Sequence, residues 1–239
     1  MNVLGEIVAR DRRTDRSAVH LPAADRTMSY HDFCTTAWKA GNVFRHLGLA
    51  GGRGVEIEPV GSPESLLAFF GASLLGSPVR FEVRGDDETR LVVATVDRET
   101  SFDPSPGTKL VVYGGRPTRP ETTHWETEVW SENPAIPPYD VAPSTPALVD
   151  DESYTHAELL EFAEGVVDEY ALTDASRVVV RSSLSHSGVV VAGVVAPLLA
   201  GATVVLADAD VGNSGDFAVS ATDDVPEPTV VDPAGVLAR

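Results

Sequence analysis

One pattern of residues occurs twice and constrains the fold more than anything else in the chain. Ser29 to Asp32 and Thr155 to Glu158 each set a hydroxyl residue three positions ahead of an acid, the capping-box signature of a helix start. After the first, Phe33, Ala37, Ala40, Phe44 and Leu47 recur at helical spacing up to Gly48; after the second, Leu159, Ala163, Val166, Val167 and Tyr170 form an apolar stripe. A short apolar strand follows each helix, Val55 to Glu58 and Arg177 to Arg181. Another helix comes next in both places. Ser62-Pro63 opens one that is apolar nearly all round, and the uncharged run from Gly188 to Ala207 supplies a helix ending near Ala200, a turn, and a buried strand Thr203 to Leu206. Further strand-like runs are Pro78 to Val83, Arg90 to Val96 and Lys109 to Tyr113. Strands that alternate with helices, several of them continuous Val/Ile/Leu runs, predict an α/β fold of mostly parallel sheets flanked by helices, in two similar α/β halves. The expected division is residues 1–140 and 141–239. The first half takes in a proline-rich connection, Gly114 to Pro146, with Trp125, Trp130 and little periodicity, expected to pack on the surface.

Composition enters through what it excludes. In 239 residues there is one cysteine, Cys34, and the histidines stand singly at 20, 31, 46, 124, 156 and 186, so no disulfide framework or zinc spacing is present. No metal and no cofactor is expected. Thirty-six acids against eighteen bases give a net charge of −18, and only Lys39 and Lys109 are lysines. This pattern resembles that of extreme halophiles, because molar salt shortens the Debye length to about 3 Å and screens the repulsion among carboxylates. Nucleic acid, which needs a basic face, is excluded as a partner. The N-terminus runs into Arg10-Asp11-Arg12-Arg13 without a signal-peptide core, and Pro197 and Gly201 break the uncharged run into helix, turn and strand. A cytoplasmic protein with no membrane association is the expectation.

Three stretches carry a family resemblance: Arg26-Thr27-Met28-Ser29-Tyr30, the segment from Leu47 to Ser77, and Ala196-Pro197-Leu198-Leu199-Ala200-Gly201-Ala202-Thr203-Val204-Val205-Leu206. In order and spacing they resemble the N-terminal region of the adenylate-forming superfamily, the acyl-CoA and acetyl-CoA synthetases and their relatives. The resemblance implies that family's α/β scaffold and an ancestral site for a carboxylate. Ahead of the helix that starts near Tyr154, the family carries a Ser/Thr/Gly-rich loop ending in Pro-Lys that holds the ATP phosphates. Here Ala147-Leu148-Val149-Asp150-Asp151-Glu152-Ser153 occupies the place. Like charges 4 Å apart repel by about 4 kcal/mol at an effective dielectric of about 20, so this stretch opposes triphosphate. The family's later adenine motif, ribose-binding aspartate and C-terminal lysine domain have no counterpart. The expectation is a truncated, degenerate relative: not an autonomous ligase but a binding or interaction module, or else half of a split acid-CoA ligase completed by a partner chain.

His186, in Leu184-Ser185-His186-Ser187-Gly188, falls where the resemblance implies a motif lining the carboxylate pocket, which makes Ser185, His186 and Gly188 the pocket candidates. No catalytic residue is nominated. Ser185 and His186 are adjacent, and neighbours in a strand point to opposite faces. Cys34 reads as a packed helix residue, and Asp150-Asp151-Glu152 as a solvated loop. The implied partners are a small carboxylate or acyl ligand, and a protein partner or a homodimer covering apolar surface that a longer enzyme would bury.

Overall fold

In the computed structural model, which describes residues 1–208 and 211–238, the duplication is topological as well as sequential. The first repeat is β1 (Ser17–Leu21), β2 (Arg26–Ser29), α1 (Tyr30–His46), β3 (Gly54–Ile57), α2 (Pro63–Ser73), β4 (Val79–Arg80), β5 (Thr89–Thr95) and β6 (Lys109–Tyr113). A short β7 (Thr123–His124) and α3 (Trp125–Ser131) follow. The second repeat is β8 (Pro146–Val149), β9 (Ser153–Thr155), α4 (His156–Tyr170), β10 (Arg177–Val180), α5 (Ser187–Val190), α6 (Ala196–Ala200), β11 (Thr203–Leu206), β12 (Phe217–Val219) and β13 (Thr229–Val231). Local chemistry explains the boundaries. The Asp32 N–H donates to Ser29 Oγ (3.1 Å) to start α1, and Ser65 N–H to Ser62 Oγ (3.1 Å) to start α2 with Pro63 in its first turn. Gly201 ends α6 at φ +79°, a left-handed conformation that suits glycine, while the Ala202 N–H returns to Pro197 O (2.8 Å).

The hairpins are exchanged between repeats. The sheet built from the second repeat has the order β13-β12-β10-β11-β1-β2, and the one built from the first has β7-β6-β5-β3-β4-β8-β9. Thus β1, which precedes α1, pairs parallel with β11, and β8, which precedes α4, pairs parallel with β4. The compact units are therefore interleaved: residues 1–34 with 156–239 form one, and 35–155 the other. Apart from β2 and β9, which run antiparallel to their hairpin mates, all the strand pairs are parallel, in agreement with the expected sheets.

In each sheet one connection passes over an intervening strand with no helix among its described residues, and a charged side chain on or just past the strand beneath holds it. Between β4 and β5 the chain passes across β3, where the buried Glu56 carboxylate accepts from the N–H groups of Arg84 (3.0 Å), Gly85 (2.9 Å) and Asp86 (3.2 Å) and from Thr89 Oγ1 (2.8 Å). Between β11 and β12 it passes across β10, where Arg181 donates to Asp208 O and Gly212 O and Arg177 to Ser214 O. The first loop is held through its donors and the second through acceptors and donors both, the Ser214 N–H reaching Glu227 Oε1 (3.2 Å) and the Asp216 N–H Arg177 O (2.9 Å), which satisfies main-chain groups that a helix would otherwise pair internally.

Two expectations are corrected. The strand expected over Pro78 to Val83 shrinks to Val79–Arg80, because the chain must leave it at once to cross β3. The Gly114 to Pro146 connection is also more ordered than its composition implied. Trp125 is fully buried against Phe44 (ring centroids 6.1 Å apart) and opens α3, whereas Trp130 is 69% exposed. No helix among the described residues is long and apolar enough to cross a membrane. The uncharged run folds as α5, a π-helical turn over Val191–Val195, α6 and β11, all buried except near the α6 end.

Candidate functional site at the β10–β12 switch point

In an open parallel sheet, ligands bind outside the carboxyl ends of the strands where the order of connection reverses. In the sheet of the first-named unit that point lies between β10 and β12: β10 connects to β11 on one side, and β11 then crosses back to β12 on the other. The residues just past these strand ends are nearly all hydroxyl-bearing. Arg181 N–H donates to Val219 O (3.0 Å), and the Ala221 N–H then donates to Ser182 Oγ (3.0 Å) across the gap. Ser185 bonds Ser183 through both its N–H (3.2 Å) and its Oγ (3.0 Å), and the Thr222 N–H caps on Ser220 Oγ (3.1 Å).

The three residues singled out from sequence lie on the loop leaving β10, with different surroundings. His186 is exposed and stands immediately ahead of α5; its carbonyl accepts from Val189 N–H (2.9 Å) and its N–H donates to Ser183 O (3.3 Å). Ser185 is half-buried and its hydroxyl is directed to Ser183, so the structure gives it a serine and not the neighbouring imidazole as partner. Gly188 is buried where a Cβ would collide with the Pro233 carbonyl, so close packing explains the glycine there. Past these two strand ends the hydroxyls of Ser182, Ser183, Ser185, Ser220 and Thr222 gather, with the exposed His186 on the same loop as Ser182 to Ser185.

Sequence reasoning missed the ion pair beside this crevice. Arg181 grips Glu227 in two places, Nη2 to Oε1 (2.7 Å) and Nε to Oε2 (3.2 Å), with side chains only 7% and 0% exposed. Burial on its own would raise the Glu227 carboxyl; hydrogen bonds from Arg181 and the Ser214 N–H, with the Arg181 charge, bring it below the usual carboxylate range. The pair pins the β11–β12 crossover and the approach to β13 onto β10. Its signal in the sequence was the arginine at each end of an otherwise apolar strand, Arg177 and Arg181.

In the other unit, Asp150-Asp151-Glu152 forms a tight hairpin turn between β8 and β9. The Asp150 N–H donates to Glu152 O (2.9 Å), the Glu152 N–H to Asp150 Oδ1 (2.9 Å), and Asp150 O accepts from Arg80 Nη1 (2.6 Å). The amides turn inward on themselves, and the Asp151 side chain is 98% exposed.

Two α/β units of mostly parallel strands flanked by helices define the class of fold, and solved structures narrow it. The chain is similar in fold to the anthranilate CoA ligase AuaEII solved with anthranoyl-AMP (TM-score 0.75, 17% identity, 85% of this chain and 44% of that one). It is similar to a benzoate CoA ligase from Burkholderia xenovorans LB400 (0.74, 16%, 92% and 50%) and to the N-terminal domain of FACL13 from Mycobacterium tuberculosis (0.72, 16%, 87% and 57%). The fold is that of the N-terminal domain of acyl-CoA synthetases, as the sequence resemblance implied, and the chain spans about half the length of these proteins. No family model and no curated protein matches the sequence.

Proposed function

We propose that the protein is an acyl-CoA synthetase-like binding module which holds a small carboxylate or acyl group in the β10–β12 crevice and does not form an acyl-adenylate by itself. The observation that carries this reading is the Asp150-Asp151-Glu152 turn. The Asp150 and Glu152 N–H groups are used within the turn rather than offered to a phosphate, and the Asp151 carboxylate faces solvent. Transfer of an adenylyl group requires positioned phosphates and charge-stabilising cations, and this turn supplies neither. Ser185 and His186 are the proposed ligand contacts, with Gly188 permitting the close packing that shapes the loop. A cytoplasmic, high-salt setting goes with the net charge of −18. The test is pyrophosphate exchange into ATP with magnesium and a panel of small carboxylates in molar KCl. No exchange is the expected result, and robust exchange by the chain alone overturns the reading.

A second reading is favoured by one fact, that the chain spans only 44–57% of the solved ligases and ligase domain named above. In that reading it is one part of a split acid-CoA ligase, and a partner chain supplies the remaining motifs. Co-purification at high salt with a chain of that kind, and exchange activity only in the complex, separates the two readings.

A further inference from the structure

The unit of residues 35–155 contains a cleft of about 340 Å³ that the proposed function does not use. Its walls are apolar where Val55, Pro78, Val79 and Val149 meet, and its rim is charged. The lining includes Arg80, whose Nη1 is anchored on Asp150 O (2.6 Å). It also includes Asp86, Asp87 and Glu88, on the crossover loop that the Glu56 carboxylate, itself part of the lining, holds down. The loop is fixed through its main chain, so the three side chains are left to face the cleft opening. Among the described residues none of the four forms an ion pair, although Arg84 nearby pairs with Glu82 (2.6 Å). Charges of both signs lining one partly apolar cleft without pairing with each other, each with unused hydrogen-bonding capacity, match a ligand that carries both charges itself.

We infer that this cleft binds a small zwitterion, an α-amino acid with an aliphatic side chain: its carboxylate on the free edge of the Arg80 guanidinium, its ammonium on the Asp86–Glu88 rim, its side chain against the valines. A simple cation is disfavoured because Arg80 would repel it, and a simple anion because three carboxylates would. The inference stands independently of the crevice in the other unit.

The experiment is a calorimetric titration of the full chain with leucine, and in parallel with N-acetyl-leucine, which lacks the ammonium, and with isopentylamine, which lacks the carboxylate. Leucine is expected to bind, and each analogue to bind at least about tenfold more weakly, since each forfeits one set of charge-assisted bonds. Arg80→Met and the pair Asp87→Asn with Glu88→Gln are each expected to weaken leucine by a similar factor, while Arg80→Lys, which keeps the charge, retains part of the affinity. Absence of heat and of any thermal stabilisation with leucine up to about 10 mM overturns the inference, and so does equal binding of leucine and either analogue.

Discussion

His156 provides a sharp quantitative test of the packing at the start of α4. It is fully buried; its Nδ1 accepts the Leu4 N–H (3.2 Å), and its Nε2 has no hydrogen-bond partner. An imidazolium there would set a proton on Nδ1 against the Leu4 donor and leave a charge without water, so burial lowers the pKa from 6.5 to about 4. The unfolded chain takes up the proton first as pH falls. Stability is thus complete above about pH 6.5 and drains away between there and pH 4, by about 2 kcal/mol at pH 5 and about 3 kcal/mol in full, from 1.36 kcal/mol per unit. The window above pH 5 is clear of the depressed carboxylates, which act lower. Denaturant midpoints for the wild type and His156→Asn, compared from pH 7.5 to 5 in molar KCl, isolate the effect. Asparagine keeps an acceptor for Leu4 and cannot titrate, so the wild type is expected to lose more stability over this range than the variant, which keeps only the common background, including that of His20, whose pKa burial also lowers. Parallel profiles for the two proteins would refute the reasoning.

Four further outcomes follow from other sites. Arg181→Met strands the fully buried Glu227 carboxylate and is expected to cost about 3–5 kcal/mol in chemical denaturation, while Arg181→Met with Glu227→Leu costs less; additive losses would contradict the pairing. Glu99, held at about 2 by the Thr118 and Arg119 N–H groups and the Thr118 hydroxyl, stabilises the fold above the ordinary carboxylate pKa and loses that contribution as pH falls toward 2. Glu99→Gln should therefore flatten the acid limb of the stability profile. Gly188→Ala drives a methyl into the Pro233 carbonyl and is expected to lower stability by about 1–3 kcal/mol in thermal melts, against a negligible change if the site is open. The Cys34 thiol, buried and pushed up to about 11 chiefly by that burial, should resist a disulfide reagent until the protein is unfolded; fast labelling of the native chain would contradict its placement.

Much of the fold was legible because its signals are local. Ser29 with Asp32, Ser62-Pro63 and Gly201 mark helix ends through bonds spanning only a few residues, and the runs at Arg177–Val180 and Thr203–Leu206 are apolar because both faces of a parallel sheet are covered. The exchange of hairpins was hidden, since β1 finds β11 across more than half the chain and no short window of sequence encodes such a pairing. Glu56 was hidden for a related reason: a carboxylate inside a strand reads as a solvent-facing residue until the loop it holds is placed above it. At the site, the sequence singled out Ser185 and His186 but read them as strand neighbours, whereas they lie on the loop between β10 and α5; Ser182, Ser220 and Thr222 converge only when β12 is laid beside β10, out of sequence order. α3 escaped because prolines on both sides obscure a helix of seven residues.

The central claim is that the crevice of the second-repeat sheet still takes an acyl group while the turn at Asp150–Glu152 rejects triphosphate. Calorimetric titration in molar KCl with a non-hydrolysable acyl-adenylate analogue, and separately with ATP and magnesium, addresses both parts at once. Binding of the analogue, weakened by His186→Ala, is expected, together with no binding of ATP with magnesium. Saturable binding of ATP with magnesium, or silence with every analogue tried, would contradict it.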